Sequence, residues 1–382
     1  MTAPDPVASA PVLYRNGSVY TTADPFASAI IVEGEEVVWV GSEQAADSLV
    51  DDRMRIVDLD GGLVTPAFVD SSVDLTAQGD PDAVLRNAAA RGTAAVVHTG
   101  PVDALTSLPG EDRKDAPSAG GGAARPSVYL WPTVSAEALE PGLDLISAVG
   151  PDDRLVGLRT VVHDAPAQQV TAFLTTCLER SLRPGLVVDR TSATAIVDAV
   201  VAARETAGER RFNAAGLRLE FAPDLTSDEL LPVLDALSGC AFTVCLDPAS
   251  SPLASEYYRR GIPVTLGTGG ALLEPWAAVR ELLNHDAEHQ RISARAAFTA
   301  ATRGAWRGIG RGGGMSGQLA PGTPATYALW QVEALMVQAA AGTGASWSTD
   351  PRSRTPLLPA LEDEALPVCE GTFLAGLQLY KA

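Results

Sequence analysis

Lysine is almost absent from this chain. Lys114 and Lys381 are the only two among 382 residues, so nearly all of the 28 basic side chains are arginines. Acidic residues number 47 and set the net charge at −19. A protein that binds nucleic acid needs a basic face broad enough to neutralise phosphates. This composition offers none at domain scale, so no nucleic-acid partner is expected and the acidity reads as a solubility device. Cysteine is scarce too. No pair among Cys177, Cys240, Cys245 and Cys369 has C-x-x-C spacing, which leaves buried thiols of a reducing compartment as the expectation. No apolar run is long enough to span a bilayer, so no membrane partner is expected. The residues around Asp5 and Pro6 lack the basic and apolar segments of a secretory signal, and the expected location is cytoplasmic. There is neither a G-x-S-x-G elbow nor a Walker loop.

What remains is an ordinary globular composition, 46% hydrophobic, long enough for one large domain and one small one. From Val12 to Val40 the chain reads as strand and turn. Asn16-Gly17 between Val12-Leu13-Tyr14 and Ser18-Val19-Tyr20 predicts a hairpin, because both turn residues tolerate positive φ. A second turn is expected at Gly34.

The pattern changes at Leu63, where short apolar runs begin to alternate with helical stretches. The expected strands are Leu63–Val69, Ala94–Val97, Ser127–Trp131, Val156–Val162, Leu186–Val188, Leu217–Phe221, Ala241–Leu246 and Pro263–Leu266. Eight short apolar strands separated by helices predict a parallel sheet covered on its outside, over about the 250 residues a (β/α)8 barrel occupies. Ala167–Leu182 places Val170, Phe173, Leu174, Cys177 and Leu178 on one helical face, and Thr226 to Glu229 carries a capping box. Leu108–Pro126, with Gly120-Gly121-Gly122, reads as a mobile loop. Tyr327–Trp330 and Thr372–Leu379 read as strands that partner the N-terminal ones. The expected architecture is therefore α/β, a TIM-like (β/α)8 barrel over residues 63–315. A small composite β-sandwich is expected from residues 1–62 and 316–382.

Several of these segments resemble the amidohydrolase superfamily, in particular its imidazolonepropionase-like and N-substituted formamide deformylase-like branch. They are Gly62-Leu63-Val64-Thr65-Pro66-Ala67-Phe68-Val69-Asp70, Arg218-Leu219-Glu220, Val264-Thr265-Leu266-Gly267-Thr268, Glu274-Pro275-Trp276, Arg291-Ile292-Ser293 with Ala300-Ala301-Thr302-Arg303-Gly304, and Gly317-Gln318-Leu319-Ala320-Pro321-Gly322. Their order along most of the chain carries the likeness. The resemblance implies hydrolysis of non-peptide C–N bonds by a divalent metal such as zinc, held at the C-terminal ends of the barrel strands.

The ligands that the resemblance implies are not there. Where the first strand of the family ends in His-x-His, this chain has Ser72 and Asp74. Arg159 stands in place of the carboxylated lysine, and a guanidinium stays protonated and repels an ion. Val187 takes the place of the fifth-strand histidine, Phe221 follows Glu220 where the sixth strand reads Glu-His, and Gly269 follows Thr268 where the eighth ends in aspartate. A catalytic zinc takes three or more protein ligands, so no metal or other cofactor is expected. The expected protein is a degenerate enzyme with a binding or scaffold role, acting as a homodimer or as the partner of an active homologue. Its mouth would be partly filled by Phe221 and Arg159, and its pocket lined by Ser72, Asp74, His98, Arg159, His163, Asp189 and Thr268. A small anionic ligand held by Arg159 is expected there. The alternative is an active C–N hydrolase with a rebuilt site on Asp74, His98 and His163, the only case in which zinc would be expected.

His285 and His289 have i, i+4 spacing, but at a helix end they suit the dipole. Gly308-Ile309-Gly310-Arg311-Gly312-Gly313 matches G-x-G-x-x-G after a helix instead of after a strand, without the context of a dinucleotide site.

Overall fold

The computed structural model describes residues 10–77, 79–108, 124–135, 142–144, 153–223, 225–249, 253–268, 274–311, 313–338, 347–348, 356–361 and 365–382. Most of the loop expected at Leu108–Pro126 lies outside them.

Two five-stranded sheets are built from both ends of the chain. One runs in the order Thr323–Pro324, Glu36–Gly41, Ala29–Glu33, Val12–Arg15, Arg55–Asp58. The other runs Ser18–Val19, Leu63–Pro66, Tyr327–Gln331, Val368–Leu374, Leu377–Lys381. Their inner faces share a core of Tyr14, Ile30, Val32, Val37, Val64, Leu319, Tyr327 and Phe373. The Tyr14 and Tyr327 hydroxyls meet at 2.8 Å inside it, each giving the other the partner a buried O–H needs. The composite sandwich is the one the terminal strands predict.

Three local expectations are corrected. The turn at Asn16 exists, with φ at 58°, but it joins no hairpin. Val12–Arg15 pairs with Ala29–Glu33 and Arg55–Asp58, while Ser18–Val19 pairs with Leu63–Pro66 in the other sheet. Gly17 sits so close to the Gly62 carbonyl and to Leu59 that a Cβ would not fit, so this turn is a tight corner between sheets. The strand expected at Leu63–Val69 is two strands. Leu63–Pro66 is antiparallel to Tyr327–Gln331, and the chain leaves that ladder at Pro66, which has no N–H to continue it. The sandwich therefore extends to Pro66, past the boundary expected at residue 62. The single strand expected at Thr372–Leu379 is a hairpin of Val368–Leu374 and Leu377–Lys381, turned by Ala375 and Gly376, both at positive φ.

The barrel strands are β1 (Phe68–Val73), β2 (Thr93–His98), β3 (Ser127–Leu130), β4 (Gly157–Val162), β5 (Arg183–Val188), β6 (Leu217–Phe221), β7 (Phe242–Leu246) and β8 (Val264–Leu266). All ladders among them are parallel, in two runs, β1 to β3 and β4 to β8. Parallel bridges Leu130↔Leu155 and Thr133↔Arg159 connect the runs on one side. On the other, the Thr268 N–H donates to the Ser72 carbonyl at 3.1 Å, a single bond in place of a ladder. Helix Ala167–Glu179 buries the five residues its periodicity selects, and Thr226 with Glu229 forms the capping box at Ser227–Ala236.

An aromatic seam joins barrel to sandwich. The Phe68 ring packs edge-on against Trp276, Phe298 and Trp330, with centroids 5.0 to 5.8 Å apart. Trp330 is 1% exposed and donates its Nε1–H to Thr65 Oγ1 at 2.9 Å. Trp330→Ala is expected to cost about 3–5 kcal/mol in chemical denaturation, with both domains weakened together, because the cavity opens where they meet.

Candidate functional site

Strand alternation places Arg218 and Glu220 of β6 on the inner wall, while Leu219 and Phe221 face the helical layer. Phe221 stacks on Tyr257 at 6.2 Å within the outer core. The expectation that Phe221 fills the mouth is thus corrected. Phe221 occupies an outward position of the strand, and Glu220 is the residue beside the inner space.

Arg159 of β4 reaches Glu220 across β5. Its Nε donates to Oε1 and its Nη2 to Oε2, both at 3.0 Å, a bidentate pair. Arg159 Nη1 donates to Thr133 Oγ1 at 2.8 Å and to the Thr99 carbonyl at 3.3 Å. Between them β5 offers Gly185, whose missing side chain leaves room for Trp131 and the Arg159 stem. Arg218 approaches Glu220 from below, Nη2 to Oε1 at 2.9 Å, an ion pair without hydrogen-bond alignment. Its Nη1 donates to the Ser71 carbonyl at 2.6 Å, and its guanidinium lies 5.1 Å over the Trp131 ring. Burial pushes the Glu220 carboxyl up, but the Arg218 and Arg159 charges more than offset this and leave it below its ordinary value.

The other predicted residues fall into separate groups. Ser72 Oγ pairs with Thr99 Oγ1 at 3.1 Å, and the Ser72 carbonyl takes the Thr268 N–H. The Thr268 N–H is shared with Asp70 Oδ1, also at 3.1 Å. Asp74 folds back on its own turn, Oδ1 accepting from Thr76 Oγ1 at 2.6 Å and from the Thr76 and Ala77 N–H groups. His98 is fully buried, its Nδ1 accepting the Leu75 N–H at 3.3 Å. His163 lies on the rim, Nδ1 2.6 Å from Asp189 Oδ2, with Asp164 on the other side at 3.5 Å. Asp189 is fixed by Thr191 and Ser192, and these hydrogen bonds with that of His163 outweigh desolvation and hold its carboxyl well below the usual range. Asp74 and His98 therefore lie in one environment and His163 in another.

The positions that the resemblance assigns to metal ligands do not suit a divalent ion. They hold a hydroxyl committed to Thr99, a carboxylate committed to its own turn, a guanidinium, Val187 and Phe221. Gly269 lies outside the described residues. Among the described residues no three His, Cys, Asp or Glu side chains are grouped as a metal site. Cys245, on the inner wall, has its thiol pushed up to about 11 by burial, and His285 accepts locally from the Ala287 N–H.

Three charged residues of this region, Asp70, Arg218 and Glu220, are not among the pocket candidates drawn from sequence. The charged pair Arg218 and Glu220 at i, i+2 inside an apolar strand was the available signal, since both must share one face. Glu220 holds two guanidinium groups while Arg159 holds one carboxylate. Glu220→Leu is accordingly expected to cost about 3–5 kcal/mol in urea denaturation, as for one partner removed from a buried pair. Arg159→Met should cost less, because Glu220 keeps Arg218.

Asp70 is 8% exposed, and burial raises its carboxyl to about 6 against the opposing bonds from Ser72 and Thr268 and the charge of Arg218. His98 is pushed down to about 4 by burial, against the charge of Asp74. The signs oppose. Asp70 lowers stability as pH rises from about 4 to 6, because the folded state keeps a proton the unfolded chain has lost. His98 raises stability as pH rises from about 4 to 6.5, because the unfolded chain holds the extra proton. Asp70→Asn should therefore gain about 2–3 kcal/mol more than the parent between pH 4 and pH 7, measured by denaturation at both pH values.

No protein-family model matches this chain, and no curated protein matches it in sequence. Solved structures do. N-isopropylammelide isopropylaminohydrolase from Burkholderia multivorans superimposes with a TM-score of 0.63 at 15% identity, covering 97% of this chain and 98% of that one. An adenosine deaminase from Xanthomonas campestris with bound zinc gives 0.63 at 12% identity, over 96% and 92%. E. coli guanine deaminase gives 0.59 at 16%, over 97% and 99%. Eight parallel strands ringed by helices, with a sandwich drawn from both termini, match these proteins over almost their full lengths. The chain has the fold of the amidohydrolase superfamily.

Proposed function

We propose that this chain is a degenerate amidohydrolase-fold protein with a binding or scaffold role, and that it does not hydrolyse C–N bonds by the metal-dependent route. One observation carries the reading: the Arg159 guanidinium lies where the resemblance implies a carboxylated lysine, and it is locked to Glu220 by two 3.0 Å hydrogen bonds. A fixed cation at that point supplies the positive charge that would otherwise neutralise Glu220. It also repels a divalent ion. The zinc of the Xanthomonas structure belongs to a protein only 12% identical, so the shared fold brings no metal with it.

The rebuilt hydrolase would need Asp74, His98 and His163 to converge. Asp74 and His98 bond within the β1–β2 end and His163 bonds to Asp189, which gives that reading no support. A small anion at the mouth would compete with Glu220 for Arg159, so the role favoured here is that of a cytoplasmic subunit, either a homodimer or the partner of an active homologue. Among the described residues no helix is long and apolar enough to cross a membrane.

Elemental analysis of protein from zinc- and manganese-supplemented cells, purified without chelators, tests the proposal. Metal well below one ion per chain is expected, with thermal stability unchanged by chelator. One tightly held ion per chain, lost together with stability on chelation, would sink it.

A further inference from the structure

A groove follows the seam between β8 and β1, which among the described residues are joined by a single backbone bond. Phe68 and Asp70 of β1 line it, with Leu266 and Thr268 at the end of β8. So do Ala88 of helix Pro81–Ala89, Ala278 of helix Pro275–Leu283 and Ala301 of the helical run Ala300–Gly304. Alanine at these three positions leaves space that longer side chains on the same helices would fill. The groove encloses about 460 Å³, part of it open to solvent, a size within the range of small-molecule sites.

Alternation along β1 turns Val69 into the barrel core, where it packs with Ala95, Val97 and Trp131. Phe68 and Asp70 are left on the outward face, and Phe68 there meets Trp276 and Phe298 of the helical layer. Asp70 is 8% exposed. Its Oδ1 accepts the Ser72 and Thr268 N–H groups, both at 3.1 Å. Its Oδ2 is buried and has no partner among the described residues. A carboxylate only accepts, and both of its oxygens call for donors. A buried oxygen left without one is destabilising. The Thr268 hydroxyl is buried too and makes no aligned hydrogen bond. The cations near Asp70 are engaged elsewhere. Arg91, which also lines the groove, pairs with Glu274 at 3.4 Å. Arg218, whose charge favours an ionised Asp70, reaches Glu220 and the Ser71 carbonyl on the inner wall. What the groove lacks is a positively charged donor.

We propose that the β8–β1 groove binds a small amine with an apolar body, its ammonium donating to Asp70 Oδ2 and its body packing on Phe68, Leu266, Ala278 and Ala301. An ammonium carries three donors, so it serves the Thr268 hydroxyl as well. Apolar walls keep water from the ion pair and strengthen it. The site lies outside the barrel wall and apart from the mouth, so it stands or falls independently of any metal.

Titration calorimetry of the full chain with benzylamine tests the site. At pH 8 the amine is charged, and so is Asp70, whose carboxyl burial raises only to about 6. Saturable binding of about millimolar affinity or tighter is expected. Benzyl alcohol, similar in size and uncharged, should bind about tenfold more weakly, the worth of a charge-assisted bond. Asp70→Asn should lower benzylamine affinity about tenfold for the same reason. Ala278→Leu, which fills the groove and leaves Asp70 in place, should lower it at least as much. Asp51→Asn, in an exposed pair with Arg53 of the sandwich, should leave it unchanged. Circular dichroism checks that each variant is folded, and Ala278→Leu decides if Asp70→Asn is not. No saturable binding by ~10 mM benzylamine would overturn the proposal, as would unchanged affinity in either folded groove variant. Equal affinity for benzyl alcohol would overturn the assignment of an amine.

Discussion

The bidentate pair between Arg159 and Glu220 organises the inner wall of this barrel. Two charges so little exposed to water survive only when matched in geometry and saturated with hydrogen bonds. Arg159 and Glu220 are so matched, with Thr133 and the Thr99 carbonyl taking both Arg159 Nη1 donors and Arg218 approaching Glu220 from below. The pair ties β4 to β6, while the Arg218 bond to the Ser71 carbonyl ties β6 to β1 across the interior. Among the described residues the β8 edge meets β1 through one backbone bond, and such cross-barrel contacts hold the strands where no ladder does.

The same pair bears on chemistry. A metal in a hydrolase of this fold is a mobile positive charge that can polarise a substrate and activate water. A guanidinium locked to a carboxylate is a fixed charge without that reactivity. It neutralises Glu220 but presents no open coordination position. Glu220 on the inner wall thus has its charge balanced by Arg159 and Arg218.

Stability has a different centre. Phe68, Trp276, Phe298 and Trp330 come from β1, a barrel helix, the helix before the final turn and the sandwich. Phe68 packs edge-on against the other three while Trp276 stacks on Phe298, so one aromatic core spans both domains. The opposed titrations of Asp70 and His98 sit close to this framework, each destabilised by burial in the opposite charge sense, so the acid sensitivity of one masks that of the other.

Much of this was determined along the chain. Alternating apolar runs and amphipathic helices specify eight parallel strands with an outer layer, since the period of each segment and its turn residues are local properties. The terminal strands need a partner for their apolar faces, which makes the sandwich composite. The absence of His-x-His at Ser72 and Asp74 and of lysine at Arg159 is equally local. Tertiary structure alone decided the rest. Asn16-Gly17 specifies a turn, but whether that turn closes a hairpin or passes between sheets depends on Gly62 and Leu59, which pack against Gly17 from another strand. Phe221 has the same sequence neighbours whichever way it faces, and the inward commitment of Arg218 and Glu220 turned it outward. Partners such as Glu220 for Arg159, 61 residues away, or Gly308 for Arg183, 125 residues away, leave no local trace, because long-range pairing is set by strand order and stagger and not by the residues that happen to be adjacent in the chain.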